Sequence, residues 1–444
     1  MSSFNDIKIL LDIQDINLQF ENNCVKEGTY KGKPCKYVTG KLTYIPTSCE
    51  VCKASNDNYN VYKNGTQLSR ITLPITGVHP TYLLLKKQRF MCKRCNNSFT
   101  AKTSIVKKHC HISENVKTQI TIKSAEAQSL TSIAKDCSVS PTTVQRVINL
   151  VAQIYKPSCQ SLPKHLSFDE FKYAKGMMAF EYIHSETGDI LDILPQRTNY
   201  VIKNHFITHY SLAERNQVKT VTIDMNAGYA TVIKELFPHA EIIIDRFHLV
   251  QLINRSMNRC RIRVMNQMRT SNGEDMKKYR RLKRYWKLFL KHESDLSDVI
   301  YKHYPLFGQR TGKGIVDEML AYDDALRENY ELYQKLLRTI KKRSFSGFSE
   351  VLMEKESPLL SSYMKTSLKT LRKHASYIKN SFIYSYNNGR IEGINNKIKV
   401  LNRVAYGYRN FSNYKNRILL HFKLKPVERK PLSFKEKQSG IQVA

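Results

Sequence analysis

Asp169 and Asp224 each close a short strand-like run, His165-Leu166-Ser167-Phe168 and Val218-Lys219-Thr220-Val221-Thr222-Ile223, and Glu392 sits in a helical repeat much further along. Carboxylates that converge from separate elements can hold two divalent cations about 4 Å apart, the arrangement that cleaves a phosphodiester. Mg²⁺ or Mn²⁺ suits three such acids, because it completes its shell with water and phosphate oxygens. Any one of these acids taken singly reads as a solvated surface group; the reading rests on all three occupying suitable elements. Asp245 ends a further apolar run, Glu241-Ile242-Ile243-Ile244. If its strand lies one place further out, it stands about 4.8 Å more distant, which favours Asp224 as the second ligand. Asp245 is then expected to orient His248, three residues on, or to contact substrate. Glu170 should point away from Asp169, since side chains alternate along a strand.

A second kind of chemistry comes from Cys49-x-x-Cys52 and Cys92-x-x-Cys95. Two such pairs supply the four thiolates of a tetrahedral structural zinc site. The 39 residues between the pairs exceed the usual spacing, and Tyr59, Val61, Tyr62, Ile71, Val78 and Tyr82 within them read as short strands of a zinc ribbon. A redox role is the rival reading, but no thioredoxin-like pattern accompanies the pairs. Cys24, Cys35, Cys137, Cys159 and Cys260 read as isolated thiols, and His109-Cys110-His111, a trio with metal-binding side chains, reads better as a loop without a ligand role.

The elements that must position these groups belong to a very basic chain of 444 residues, with 72 Lys and Arg against 38 Asp and Glu, a net +34 spread along its length. Such a charge suits a polyanion, because each neutralised phosphate releases counterions; a ribosomal or membrane-surface partner is the bland alternative. No run of about 18 apolar residues exists to span a membrane, and Met1 to Phe20 lacks a signal pattern. A reducing, cytoplasmic (nucleoid-associated) setting is expected, which argues against disulfides.

Leu130, Ile133 and Ala134, a turn at Cys137-Ser138-Val139-Ser140, and then Val144, Val147, Ile148 and Val151 describe two helices. Ser140 can cap the second, and Pro141 suits its first position. This reads as a helix-turn-helix that turns Thr142, Thr143, Gln145 and Arg146 toward a major groove, with an ordinary helical hairpin as the alternative. Beyond Pro157 and Pro163, three strands, a helix, a strand, a helix and a strand follow, several ending in acids. That βββαβαβ order is the ground plan of an α/β RNase H-like core. From Phe247 to Tyr384 the pattern is helical and basic; Lys277 to Lys291 holds eight Lys or Arg in fifteen residues, Lys283 and Arg284 among them. It reads either as a helix tracking phosphates, with Tyr285 or Trp286 free to stack on a base, or as a solvated helix that packs Trp286 into a local core. Ile391, Ile394, Ile398 and Leu401 then mark an apolar face, leaving Glu392, Asn395, Asn396 and Lys399 on another, where Asn395 and Lys399 can reach DNA. The expected organisation is a zinc module over 1–110, helix-turn-helix over 111–157, core over 164–246, helical insertion over 247–384, the Glu392 helix over 385–428 and a loose tail over 429–444.

Four blocks in order, LSFDEFKYAKG, VTIDMNAGY, ELFPHAEIIIDRFHLV and NNGRIEGINNKIKVLNRVAYGYRNF, together with RFMCKRC at the second cysteine pair, resemble the ISL-three family of bacterial insertion-sequence transposases over nearly the whole length. Asn387 stands where that family more often has Ser. The resemblance implies that Asp169, Asp224 and Glu392 form a DDE triad and that Asp245-Arg246-Phe247-His248 matches an Asp-x-x-His signature of families with helical insertions. It implies an enzyme that binds the inverted repeats of its element, cuts a strand, and lets the freed 3′-hydroxyl attack target DNA, as a dimer or larger assembly on double-stranded DNA. A catalytically inactive DNA-binding regulator, or a nuclease without strand transfer, are the competing expectations.

Overall fold

The structure is a computed structural model that describes residues 3–155, 161–225 and 228–424. Pro157, Cys159 and the tail 429–444, read above as linker, isolated thiol and loose end, lie outside the described residues. The chain divides into two compact units, Met1–Lys156 with Lys397–Ala444, and Pro157–Asn396.

The first unit is built on a mixed sheet in which β1 (Leu18–Tyr30), β2 (Lys33–Leu42), β4 (His79–Cys92) and β3 (Val61–Thr76) lie in that spatial order, with β5 (Ser98–Thr100) added to β4. The long spacing between the cysteine pairs is taken up by one hairpin, β3–β4, whose strands are far longer than the short strands expected. Leu83, Leu85 and Phe90 of β4 and Ile71 and Leu73 of β3 are all fully buried. These arms must run this far to build a core with Leu18, Val38 and Leu42 of the other hairpin.

Three helices follow, Glu114–Ser124, Leu130–Asp136 and Pro141–Ala152. Each starts at a serine, Ser113, Ser129 or Ser140, whose hydroxyl accepts the N–H three residues on, satisfying a donor the helix cannot. Val116, Ile120, Ile133, Val144 and Ile148 form their core with Leu420 of the helix Phe411–Lys423. From that helix Arg417, 1% exposed, donates to the carbonyls of Glu126 and Gln128 at 2.8 and 3.0 Å. Arg417→Leu leaves both carbonyls unpaired, so we expect a loss of about 2–3 kcal/mol in a urea melt; an unchanged midpoint would refute this anchoring role.

The second unit holds the sheet β10 (Glu241–Ile244), β9 (Thr220–Ile223), β6 (His165–Ala174), β7 (Met177–His184) and β8 (Ile190–Leu194), in that order. β6, β9 and β10 are mutually parallel, while β7 and β8 run antiparallel to their neighbours. Gly176, at φ +74°, makes the tight return from β6 to β7, a conformation that costs other residues. One face carries Phe168, Phe180, Tyr182, Val221 and Ile223, which pack on Ile202, Phe206, Val232 and Leu236 of the helices Asn199–His209 and Gly228–Leu236.

The register places the acids on the other face. Asp169 pairs with Glu181, and Ser167 with Thr222, which itself pairs with Ile243. Two residues beyond Thr222 and Ile243 come Asp224 and Asp245, on the same side as Asp169. Between Arg246 and Ile383 the chain forms helices around their own apolar core, including Leu249, Met257, Ile315, Tyr333, Phe348 and Leu368. This excursion returns to the sheet at its edge: Asn380 donates to the carbonyl of Ile242 at 2.9 Å, and Ser381 to that of Ile244. The edge strand β10 is thereby covered, and the helix Gly389–Val404 begins near the strand ends.

Candidate active site

Each acidic side chain is held by a different element. Asp169, within β6, accepts from the Asn395 amide at 2.8 Å and from the backbone N–H of Glu170 at 2.7 Å. Asp224, just past β9, accepts from the Asn388 amide at 3.2 Å and lies 2.7 Å from His248 Nε2. Asn388 precedes the helix Gly389–Val404 and also donates to the carbonyl of Phe168 at 3.4 Å. Asp245 caps the helix Arg246–Gln267 through the N–H of Phe247. His248, one turn in, stands 4.0 Å from Glu392. Ligand atoms of Asp245, His248 and Glu392 lie within 4.8 Å of one another.

This is a negative site whose principal cation is a side chain. Burial, reinforced by the charge of Asp224, pushes the Asp169 carboxyl up to about 6. Burial likewise raises Asp245. His248 is held above its usual value, first by its hydrogen bond to Asp224 and then by the charges of Asp224, Asp245 and Glu392. The buried amide oxygens of Asn388 and Asn395 have no hydrogen-bond partner among the described residues. Crowded carboxylates around one imidazole, with orphaned amide oxygens beside them, fit a divalent cation with oxygen ligands.

Glu170 turns to the opposite face, where Tyr229 donates to it at 2.9 Å and Arg197 pairs with it. Asn395, read from the sequence as a DNA contact, is 5% exposed and gives its amide to Asp169. The position three residues after Glu392 was legible as the same helical face; the hydrogen bond was not. Asn388 was missed altogether, because nothing in Asn-Asn-Gly-Arg says which asparagine turns inward.

The four cysteines form the other cluster. Cys49 and Cys95 sulfurs are 3.7 Å apart, and those of Cys52 and Cys92 3.8 Å; thiolates about 2.3 Å from one tetrahedral zinc stand about 3.8 Å from each other. The two knuckles repeat one geometry. Lys53 and Asn96, each following the second cysteine of its pair, take positive φ of 60° and 51° and return their N–H to the carbonyls of Cys49 and Cys92. The N–H of Asn97 lowers the Cys95 thiol to about 6, favouring the thiolate. The cluster is compatible with a zinc module.

A family model described as transposase, of the ISL3 DDE type, matches residues 166–418. The chain belongs to this family. The matched stretch contains every residue of the acidic site. A transposase for insertion sequence element IS1001 from Bordetella parapertussis is 23% identical over 339 residues, 74% of this chain and 78% of that protein. A protein of Lactococcus lactis subsp. lactis named ATP-dependent protease is 43% identical over 110 residues, 25% of this chain, and the match spans only 35% of that relative's length.

The residues expected to face DNA are placed unequally. Thr142 and Arg146 are exposed on the helix Pro141–Ala152, whereas Gln145 turns along it to Asn149, which is bonded to Asn413 and Asn416 of the helix Phe411–Lys423. Thr143 shares its hydroxyl with Ser140. Lys283 and Arg284 are exposed at the end of the helix Gly273–Arg284. That helix stops there, and the expected continuous basic helix through Lys291 does not form. Tyr285 is buried against Tyr304 and Phe307 with its hydroxyl on the carbonyl of Pro305, so it is not free to stack on a base; Trp286, 37% exposed, is. Lys399 is exposed. Among the described residues no helix is long and apolar enough to cross a membrane.

Proposed function

We propose that this chain is an RNase H-like DNA transposase that binds the terminal repeats of its element, cleaves DNA strands and joins the freed 3′ ends to a target. The observation carrying this is that His248 reaches both Asp224 and Glu392 while Asp169 and Asp245 lie on the same sheet face as Asp224, in a family member. The sheet order, with a central first strand that continues as an antiparallel meander through β7 and β8 on one side and has two parallel strands on the other, supports the RNase H-like reading. Asp169, Asp224 and Glu392 hold two divalent cations, Mg²⁺ or Mn²⁺. When bound, these supply Lewis acidity for the attacking oxygen and charge compensation for the leaving one. Asn395 and Asn388 fix the orientation of the two aspartates, and Asp245 starts the helix that carries His248 to Asp224. His248 counterbalances the acids until cations arrive.

The four cysteines bind structural zinc. The module they brace and the exposed face of Pro141–Ala152 contact the element ends, with Lys283, Arg284 and Lys399 on phosphates. The helices between Arg246 and Ile383 form an insertion in the core, and two ends are brought together by at least a dimer, in the cytoplasm. The test is Mg²⁺-dependent cutting and joining of DNA that carries the element's ends. Binding without cutting would point to a regulator, and cutting without joining to a nuclease.

Cation binding should depend on pH in a defined direction. Asp169 in the folded protein titrates near 6, above its unfolded value of about 3.9. The stability it contributes is therefore present below pH 4 and lost as pH rises through 6, and a cation must displace its proton below that point. Mn²⁺ affinity should rise about fivefold from pH 5 to 6 and flatten above 7, with proton release seen by calorimetry in two buffers. A pH-independent affinity would exclude Asp169 as a ligand.

A further inference from the structure

Glu181 lies in the middle of β7, directly opposite Asp169. Cross-strand partners share one face with their Cβ atoms about 4.5–5.5 Å apart. Its other cross-strand neighbour is Ile193 of β8. The Glu181 side chain is fully buried, and neither carboxylate oxygen has a hydrogen-bond partner among the described residues. An unpartnered buried carboxyl is costly, and an apolar side chain of equal volume would serve a core better. The charged group that acts on it across this face is Asp169, and Asp224 and Asp245 follow on the strands beyond. What would compensate Glu181 is more positive charge on the Asp169 side.

We propose that Glu181 is a further member of the cation site, a buried carboxyl whose negative charge strengthens divalent-cation binding at Asp169 from the strand beside it. It is a positioning residue that acts through Asp169 and touches no reacting atom. The proposal rests on Asp169 being a cation ligand, and its test separates the two.

Mn²⁺ is titrated calorimetrically into the full-length, zinc-replete protein, and melting is followed with and without Mn²⁺, for wild type, Glu181→Gln, Glu181→Met and Asp169→Asn. Both Glu181 variants should melt higher than wild type without cation. Both should bind Mn²⁺ about tenfold or more weakly, since a unit charge next to a divalent ion is lost, and gain less in melting temperature from it. A merely structural glutamate would not combine a higher cation-free melting temperature with weaker binding. Unchanged Mn²⁺ affinity in both variants, alongside weaker binding by Asp169→Asn, overturns the proposal alone. Unchanged affinity in Asp169→Asn overturns the ligand reading and the proposal with it. Loss of a cooperative melt in both Glu181 variants makes the residue structural and also overturns the proposal.

Discussion

Asp224→Asn is expected to abolish DNA cleavage, by roughly 10³-fold or more, while DNA binding and the melting temperature stay near wild type. The size follows from what is removed: a charged ligand to a cation that supplies several kcal/mol of transition-state stabilisation, with each 1.4 kcal/mol a factor of ten. Asn keeps the shape and can still meet Asn388 and His248, so the local fold survives. His248, having lost the partner that contributes most to its raised pKa, should titrate closer to its ordinary value, visible in its imidazole NMR shifts. Asp245→Asn is the control. It retains the helix cap made to Phe247 and, if Asp245 supports His248 rather than holding a cation, reduces cutting much less. The alternative grouping of Asp245, His248 and Glu392 makes the comparison decisive. If Asp245→Asn abolishes cutting and Asp224→Asn does not, that second set is the cation site and the triad assignment is wrong.

Removal of metal from the cysteine cluster is expected to unfold the cysteine-bearing module and cost at least 100-fold in binding to the element's ends. A structural zinc contributes on the order of 10–16 kcal/mol at neutral pH, as much as or more than the whole stability of an ordinary domain, about 5–15 kcal/mol. Cys49 and Cys92 are fully buried at the base of this module, Cys92 closing β4. Thiols left there without metal face one another at under 4 Å. Cys92→Ser or a strong chelator should remove one zinc per chain, measured by elemental analysis, and abolish the far-UV signal of the mixed sheet. The melt of the second unit should persist. A protein that keeps its sheet and its DNA affinity after zinc removal would show that the cysteines are not a folding element.

Much of this was legible in one sequence because certain physical signals are local. The strands that carry Asp169, Asp224 and Asp245 announce themselves by short runs of strand-forming residues, although β6 does not end at Asp169 as the sequence suggested but runs on to Ala174, paired with β7. Ser140-Pro141 marks a helix start by hydrogen-bonding capacity alone, and the hydroxyl does accept the N–H of Thr143. The paired C-x-x-C spacing is chemical, and four ordered blocks suffice to point to a family. None of these depends on knowing what lies across the fold.

What the tertiary structure alone decided concerns groups whose partners are distant in sequence. Asn395 reaches Asp169 across 226 positions, and Asn388 reaches Asp224 across 164. An asparagine carries no local sign of which acid it will meet. Tyr285 looked like an exposed stacking residue within a basic run, yet it is buried because Pro305 and Phe307 come back over it. The cysteine spacing suggested short ribbon strands, whereas a neighbouring hairpin's apolar face draws β3 and β4 out into long arms. Glu181 stands in the otherwise apolar run Met177 to Ile183, and nothing local marks it out. Only the pairing of β7 between β6 and β8 closes both sides around it, burying a charge that local pattern would have left in solvent. Periodicity specifies which face of an element is apolar, and packing determines whether the other face meets water, protein or an ion.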